Sequence, residues 1–264
     1  MMDTTTIFER LWKDYTEQNP HARKVYEAFI AHGEQVVNDH IAFRTFDDPR
    51  ISVDILAKPF LKSGYEFKGE YVFHDKHLFA KHFEHTSNPG APRVFISQLT
   101  TAAFSRELQH QVQSLVDQIP YELLSSDELI YSGRLWNNLS YQVYDKLKKE
   151  SEYAAWLYVW GFCANHFTVS VNHLQKLDTL QKVNQFLKDN GFNLNDSGGE
   201  IKGTPAELLE QSSTKAGKQL IRFMEGDYEI PACYYEFARR YPDENGNLYS
   251  GFIAKSAEDR KSVV

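Results

Sequence analysis

Three short segments of this 264-residue chain each carry one metal-ligating residue type in a strand-like run. They are Asp39-His40-Ile41-Ala42-Phe43-Arg44, Asn165-His166-Phe167-Thr168-Val169-Ser170-Val171 and Tyr234-Tyr235-Glu236-Phe237-Ala238-Arg239-Arg240. Side chains alternate across a strand, so residues two apart share a face. His40, Ala42 and Arg44 therefore oppose Ile41 and Phe43. His166, Thr168 and Ser170 oppose Phe167, Val169 and Val171, and Tyr234, Glu236, Ala238 and Arg240 oppose Tyr235 and Phe237. Two histidines and one carboxylate on polar strand faces are the ingredients of a facial triad, a site that leaves positions on Fe(II) open for a substrate and dioxygen. The same donors suit Zn, Mn, Co or Ni, so these residues do not choose the metal.

Arg44 and Arg240 each follow a candidate ligand by four residues on the same face. That is ~13 Å along a strand, and an extended arginine leaning back could meet the far carboxylate of a small diacid held by the metal. Its planar fork binds carboxylates at two points. The competing expectation for either arginine is a pairing with a structural acid. Thr168 and Ser170, on the face of His166, are further candidate substrate contacts. A second histidine group, His74, His77, His82 and His85, has no such pattern. His74 and His77 flank a hairpin-like turn, and His82 takes the strand face opposite His77 and His85, so most of these read as surface residues. His110 and His173 have no companions at ligand spacing. Nucleophilic and nucleotide chemistry find no support: there is no G-x-S-x-G elbow, P-loop or G-x-G-x-x-G fingerprint.

Periodicity supplies elements to position the triad. Residues 5–17 and 21–32 read as helices parted near Asn19-Pro20, with Ile7, Leu11 and Tyr15 on one stripe. A strand at about 40–46, a helix at 51–62 closed by Gly64, and strands at 65–73, 77–85 and 93–99 follow. A helix at 104–118 leads into a helical and loop region ending in the aromatic run 153–160, which reads as core. Then β-α-β-β-β recurs: a strand at 165–171, a helix at 176–189, and strands at 192–196, 207–213, 218–224 and 231–240, with 196–206 as loop. Both halves open with Asn/Asp-His at a strand start, a degenerate repeat. The expected fold is α+β, two βαβββ modules (about 38–100 and 163–241) joined by a helical connection over 101–162 within one domain, 1–264, forming a curved open barrel around the metal.

The net charge of −7 argues against nucleic acid or anionic membrane partners. The 18 Phe and 15 Tyr favour sheets with large side chains between layers. Cys163 and Cys233 have no metal-binding spacing, and with no sign of export a disulfide is not expected. The N-terminal segment lacks a signal peptide's apolar core and no apolar run reaches membrane-spanning length, so a cytoplasmic location is expected. Oligomeric state is not readable.

At the same residues, "NDHIAFRTF" (38–46), "RVFISQL" (93–99), "SEYAAWLYVWGFCANHFTVSVN" (151–172) and "YYEFARR" (234–240), the chain resembles the 2-oxoadipate dioxygenase/decarboxylase family, also called hydroxyglutarate synthases, from about residue 5 to 255. The resemblance implies a vicinal oxygen chelate type of fold and a metal site of two histidines and a glutamate, matching His40, His166 and Glu236. It implies that Arg44 binds substrate; Arg240 fits the family's arginine after the glutamate, with its substrate contact inferred from strand geometry. The implied reaction is an Fe(II)-dependent decarboxylation and hydroxylation of a small 2-oxo acid by dioxygen, with 2-oxoadipate giving 2-hydroxyglutarate. The departure is size: characterised members carry further C-terminal sequence near the pocket, whereas this sequence ends at "GFIAKSAEDRKSVV". A hydrolase or isomerase using Zn or Ni on the same scaffold, and a non-catalytic small-molecule binder, are the alternative readings.

Overall fold

The computed structural model describes residues 4–253; most of the C-terminal stretch "GFIAKSAEDRKSVV" lies outside the described residues. Two helices come first, α1 (Thr4–Gln18) and α2 (Pro20–Ala31). Ile7, Leu11 and Tyr15 are all buried. Asn19 separates the helices: its side chain donates to the Tyr15 carbonyl and accepts from the Cys233 N–H. Then come β1 (Asn38–Phe46), α3 (Val53–Leu56), α4 (Lys58–Lys62), β2 (Tyr65–Phe73), β3 (Leu78–His85) and β4 (Arg93–Leu99). The helix expected at 51–62 is thus two short ones. Pro59 stands in the first turn of α4, where a missing N–H is tolerated, so the helix restarts there.

The connection comprises α5 (Arg106–Val116), α6 (Tyr121–Leu124), α7 (Tyr141–Glu150) and α8 (Glu152–Trp160). Serine hydroxyls cap α5, α7 and α8 at Ser105, Ser140 and Ser151. The second half follows as β5 (Ala164–Ser170), α9 (Leu180–Asp189), β6 (Lys202–Thr204), β7 (Leu209–Ser213), β8 (Lys218–Phe223), β9 (Gly226–Pro231) and β10 (Glu236–Arg240). The helix starts later than 176 because Glu34 accepts the backbone N–H groups of Gln175, Lys176 and Leu177, and Thr179 caps the first turn. The strand expected at 192–196 is reduced to a single bridge between Leu194 and Thr214, while β6 lies inside the expected loop.

Eight strands form one curled sheet in the order β2-β3-β4-β1-β5-β10-β7-β6. Each half repeats one arrangement: the first strand pairs in parallel with the last, β1 with β4 and β5 with β10, and the halves join where β1 and β5 run antiparallel. The fold is α+β, two βαβββ modules closing into an open half-barrel with helices outside. A further expectation fails at the end of the second module. Residues 231–240 are not a continuous strand, and β8 and β9 form a separate hairpin. The intervening backbone is held by side chains alongside backbone bonds to Gly217 and Thr214: Trp160 and Trp156 donate to the carbonyls of Pro231 and Ala232, and Tyr15 to that of Tyr234. Both tryptophans come from α8, whose residues 154–160 are all buried.

The outer face of the central strands is aromatic core. Phe167 meets Trp12 of α1 at 5.0 Å and Phe237 meets Phe29 of α2 at 5.7 Å between ring centroids. With Phe167 and Phe237 anchored outward, alternation sends His166 and Glu236 inward.

Candidate metal centre

His40 on β1, His166 on β5 and Glu236 at the start of β10 converge on the concave side of the sheet, all buried. Their ligand atoms lie within 4.8 Å of one another. Nε2 of His40 is 3.5 Å from Oε1 of Glu236, and Nε2 of His166 is 3.8 Å from Oε2. Ligands bound at ~2.1 Å from one centre lie about 3–4 Å apart, so the trio fits a divalent metal with little movement. Three donors leave further coordination positions. Among the described residues no other group of three His, Cys, Asp or Glu is so placed.

Both histidines are preset by bulges. Asn38 and His40 face Val169 and Thr168, so Asp39 is an extra residue in β1; Ala42 and Phe43 face His166 and Ala164, so Asn165 is the extra residue in β5. A bulge re-aims side chains, and each extra residue meets its histidine: Asp39 Oδ1 is 2.8 Å from His40 Nδ1, and Asn165 Oδ1 is 2.9 Å from His166 Nδ1. Accepting there fixes the tautomer with the Nδ1 proton and leaves each Nε2 lone pair for a metal. Gln211 of β7 donates to Glu236 Oε1. The register also explains why there are three ligands and not four. Thr168 pairs with Glu236 as Ala42 pairs with Phe95, so the position matching Glu236 in the first module is an apolar ring.

The structure separates the sequence candidates. Thr168 stays beside the ligands, its hydroxyl 3.1 Å from His40 Nε2. Ser170 is turned away, its hydroxyl bonded to His173 Nδ1 at 2.8 Å, and it does not line the cavity. Arg240 is also redirected from its expected substrate contact. Its Nε and Nη2 bind both oxygens of Asp39 at 2.7 and 2.9 Å, and Nη1 donates to the carbonyls of Tyr249 and Gly251. The strand geometry behind the expectation was sound, but the bulge puts Asp39 within reach first. Burial pushes the Asp39 carboxyl up, yet the attraction of Arg240 and the bonds from His40 and Arg240 outweigh this and hold it well below the usual carboxylate range. Asp39 is therefore an anion linking Arg240 to a candidate ligand. Asp39→Asn is expected to lower metal affinity ~10–100-fold, read by competition with a chromogenic chelator. Unchanged affinity would exclude the link from metal binding.

Arg44 has the opposite character. It lines the cavity, its guanidinium 4.9 and 5.0 Å from the ring centroids of Tyr153 and Trp156, and its buried Nη1 has no hydrogen-bond partner among the described residues. Tyr153 has its hydroxyl on the Ser97 carbonyl at 2.7 Å, and burial pushes its pKa up to about 12, so it stays protonated. The cavity holds about 610 Å³ and joins Arg44 to His40, His166 and Glu236. His82 is buried and bonded to Tyr71 and Glu84, so it is not the surface residue expected, whereas His77 is exposed as expected and also lines the cavity. The cysteines are free and buried; burial raises both thiols, Cys233 to about 12, which removes them as nucleophiles at neutral pH. Asp39, Asn165, Gln211, Tyr153 and Phe252, which also faces the cavity, were not singled out from sequence. The repeated Asn/Asp-His dipeptide was the available signal for the first two.

Among the described residues no helix is long and apolar enough to cross a membrane. The family model of 2-oxoadipate dioxygenase/decarboxylase matches residues 3–263. A curated relative from Oryza sativa subsp. japonica, "2-oxoadipate dioxygenase/decarboxylase, chloroplastic/amyloplastic", is 36% identical over 248 residues, covering 89% of this chain and 68% of its own length. The crystal structure of the hydroxyglutarate synthase in complex with 2-oxoadipate from Oryza sativa superposes with a TM-score of 0.89 at 32% identity, over 96% of this chain and 89% of that one. A crystal structure from Shewanella frigidimarina NCIMB 400, described provisionally as a hydrolase, reaches a TM-score of 0.91 at 48% identity over 96% and 99% of the two chains. Sequence likeness along nearly the whole chain and a shared fold agree: this chain belongs to the 2-oxoadipate dioxygenase/decarboxylase family.

Proposed function

We propose that this protein is an Fe(II)-dependent dioxygenase that decarboxylates and hydroxylates a small 2-oxo acid, with 2-oxoadipate and dioxygen giving 2-hydroxyglutarate and carbon dioxide. The observation that carries the reading is the combination, in one cavity, of a buried His-His-Glu group and an arginine with a buried nitrogen that no described residue partners. The names of the Oryza sativa relatives point to the same substrate.

In this reading His40, His166 and Glu236 hold the metal, and Asp39, Asn165 and Gln211 orient them. Bound there, iron would supply the Lewis acidity and redox capacity for joining a 2-oxo acid with dioxygen. Arg44 binds the distal carboxylate, replacing an unmet donor with a charge-assisted pair. Tyr153 and Trp156 hold that guanidinium in place, so little orientation is lost on binding. Aromatic walls limit water and strengthen each electrostatic contact. The Thr168 hydroxyl, fully buried 3.1 Å from His40 Nε2, helps to position that ring.

The test is oxygen uptake by anaerobically iron-loaded protein given 2-oxoadipate and then shorter and longer 2-oxo acids. Uptake matched by equal release of carbon dioxide, with 2-hydroxyglutarate as product, is expected. Bound iron with no uptake for any acid would move the assignment to a metal-dependent hydrolase or isomerase.

A further inference from the structure

We propose that Phe252, carried on the segment Leu248–Ile253, is a specificity-determining residue that bars bulky 2-oxo acids from the site; the inference rests on the function proposed above. Its ring stands edge-on to His40 at 4.8 Å between centroids, and packs on Phe95 at 4.8 Å, His82 at 5.4 Å and Tyr71 at 5.9 Å. It lines the same cavity as the three candidate ligands and Arg44. Phe95 occupies the first-module position that Glu236 holds in the second. Phe252 lies over this ligand-free, apolar flank, and the two rings form a wall against which a molecule reaching His40 must fit.

The wall is hung on polar bonds instead of being built into the core. Arg240 Nη1 holds the carbonyls of Tyr249 and Gly251 at 2.9 and 2.7 Å, and Tyr71 Oη accepts the Phe252 N–H at 3.1 Å. The Tyr249 N–H bonds the Tyr241 carbonyl, and the Arg240 guanidinium sits 5.2 Å over the Phe252 ring. No residue of 248–253 is fully buried. A segment secured by few bonds outside the core opens at lower cost than a strand of the sheet. The latch is also the Arg240–Asp39 pair that holds His40, so wall and candidate ligand share one support. A residue so placed can set acceptance by shape while Arg44 sets it by charge.

The experiment measures binding without turnover, by calorimetry on Zn-loaded full-length protein with 2-oxoadipate and with phenylpyruvate, whose ring matches the space a truncated phenylalanine leaves. Phe252→Ala is expected to raise the phenylpyruvate-to-2-oxoadipate affinity ratio about tenfold or more, the scale of pocket-shape discrimination. Phe252→Leu should fall between, and Tyr71→Phe, which keeps the ring contact but removes the latch hydroxyl, should move the ratio the same way by less. If Phe252→Ala does not fold, these two variants carry the test. A ratio unchanged in every variant that folds, or both acids weakened by one common factor, would overturn the specificity role while wild-type binding of 2-oxoadipate leaves the function standing. Wild-type protein that holds zinc but binds neither acid would overturn both.

Discussion

His40→Ala and His166→Ala are each expected to lose bound metal and all turnover while the fold is retained. Removing one of three ligands leaves two donors on a rigid sheet, with no other His, Cys, Asp or Glu among the described residues placed to complete the group. The fold survives because each histidine faces the cavity, whereas the neighbouring outward residues, Ile41 and Phe167, are fully buried in the aromatic core. His40→Ala strips Asp39 of one bond but leaves it paired with Arg240, so no buried charge is stranded. His166→Ala forfeits the Asn165 bond and a ring stacked on Tyr234 at 4.6 Å. A buried acceptor left without its partner costs about 1–3 kcal/mol, a measurable drop in melting temperature that leaves the fold intact. Metal content by elemental analysis and oxygen uptake on the same samples decide the matter. A folded variant with full metal and an undiminished rate would remove that histidine from the centre.

The convergence of the histidines and the glutamate follows from alternation, because the outward residues of β1, β5 and β10 are large and apolar and fix which side faces in. What alternation cannot carry is a bulge. One added residue leaves the apolar pattern readable, yet it turns Asp39 and Asn165 onto the face that strict alternation denies them. The misplacement of Arg240 follows from that alone: its direction was inward, but its partner was invisible. The hairpin β8–β9 escapes the sequence reading for a different reason: its first strand is expected at 218–224, but 226–230 carries no strand expectation. Its strands alternate like any others, and their separation from the main sheet depends on Asn19, Trp156 and Trp160 occupying the backbone at 231–233 from remote places in the sequence. Gln211 lies in the expected strand 207–213, where nothing in the sequence ties it to a ligand on another strand. Phe252 lay beyond the last strand, where no periodicity points to a cavity.

Arg44→Met is expected to separate substrate recognition from stability. The guanidinium carries a buried donor with no partner among the described residues, and a buried donor left unpaired costs roughly 1–3 kcal/mol. The flanking Tyr153 and Trp156 rings return part of this through cation–π attraction, about 0.5–2 kcal/mol. Methionine keeps most of the stem's packing and needs no partner, so the melting temperature should not fall. Function should. A diacid loses its charge-assisted pair, and truncating one partner of such a buried pair costs ~3 kcal/mol, or roughly 10²-fold in apparent KM. A monoacid of equal length never made that pair, and its KM should change less than about threefold. Arg44→Lys should sit between the two because a point charge replaces the planar fork. Steady-state kinetics with 2-oxoadipate and 2-oxohexanoate, alongside thermal melts, measure all three quantities. Equal losses for both acids would remove Arg44 from carboxylate recognition, and a marked drop in melting temperature would show that its place between the two rings is structural.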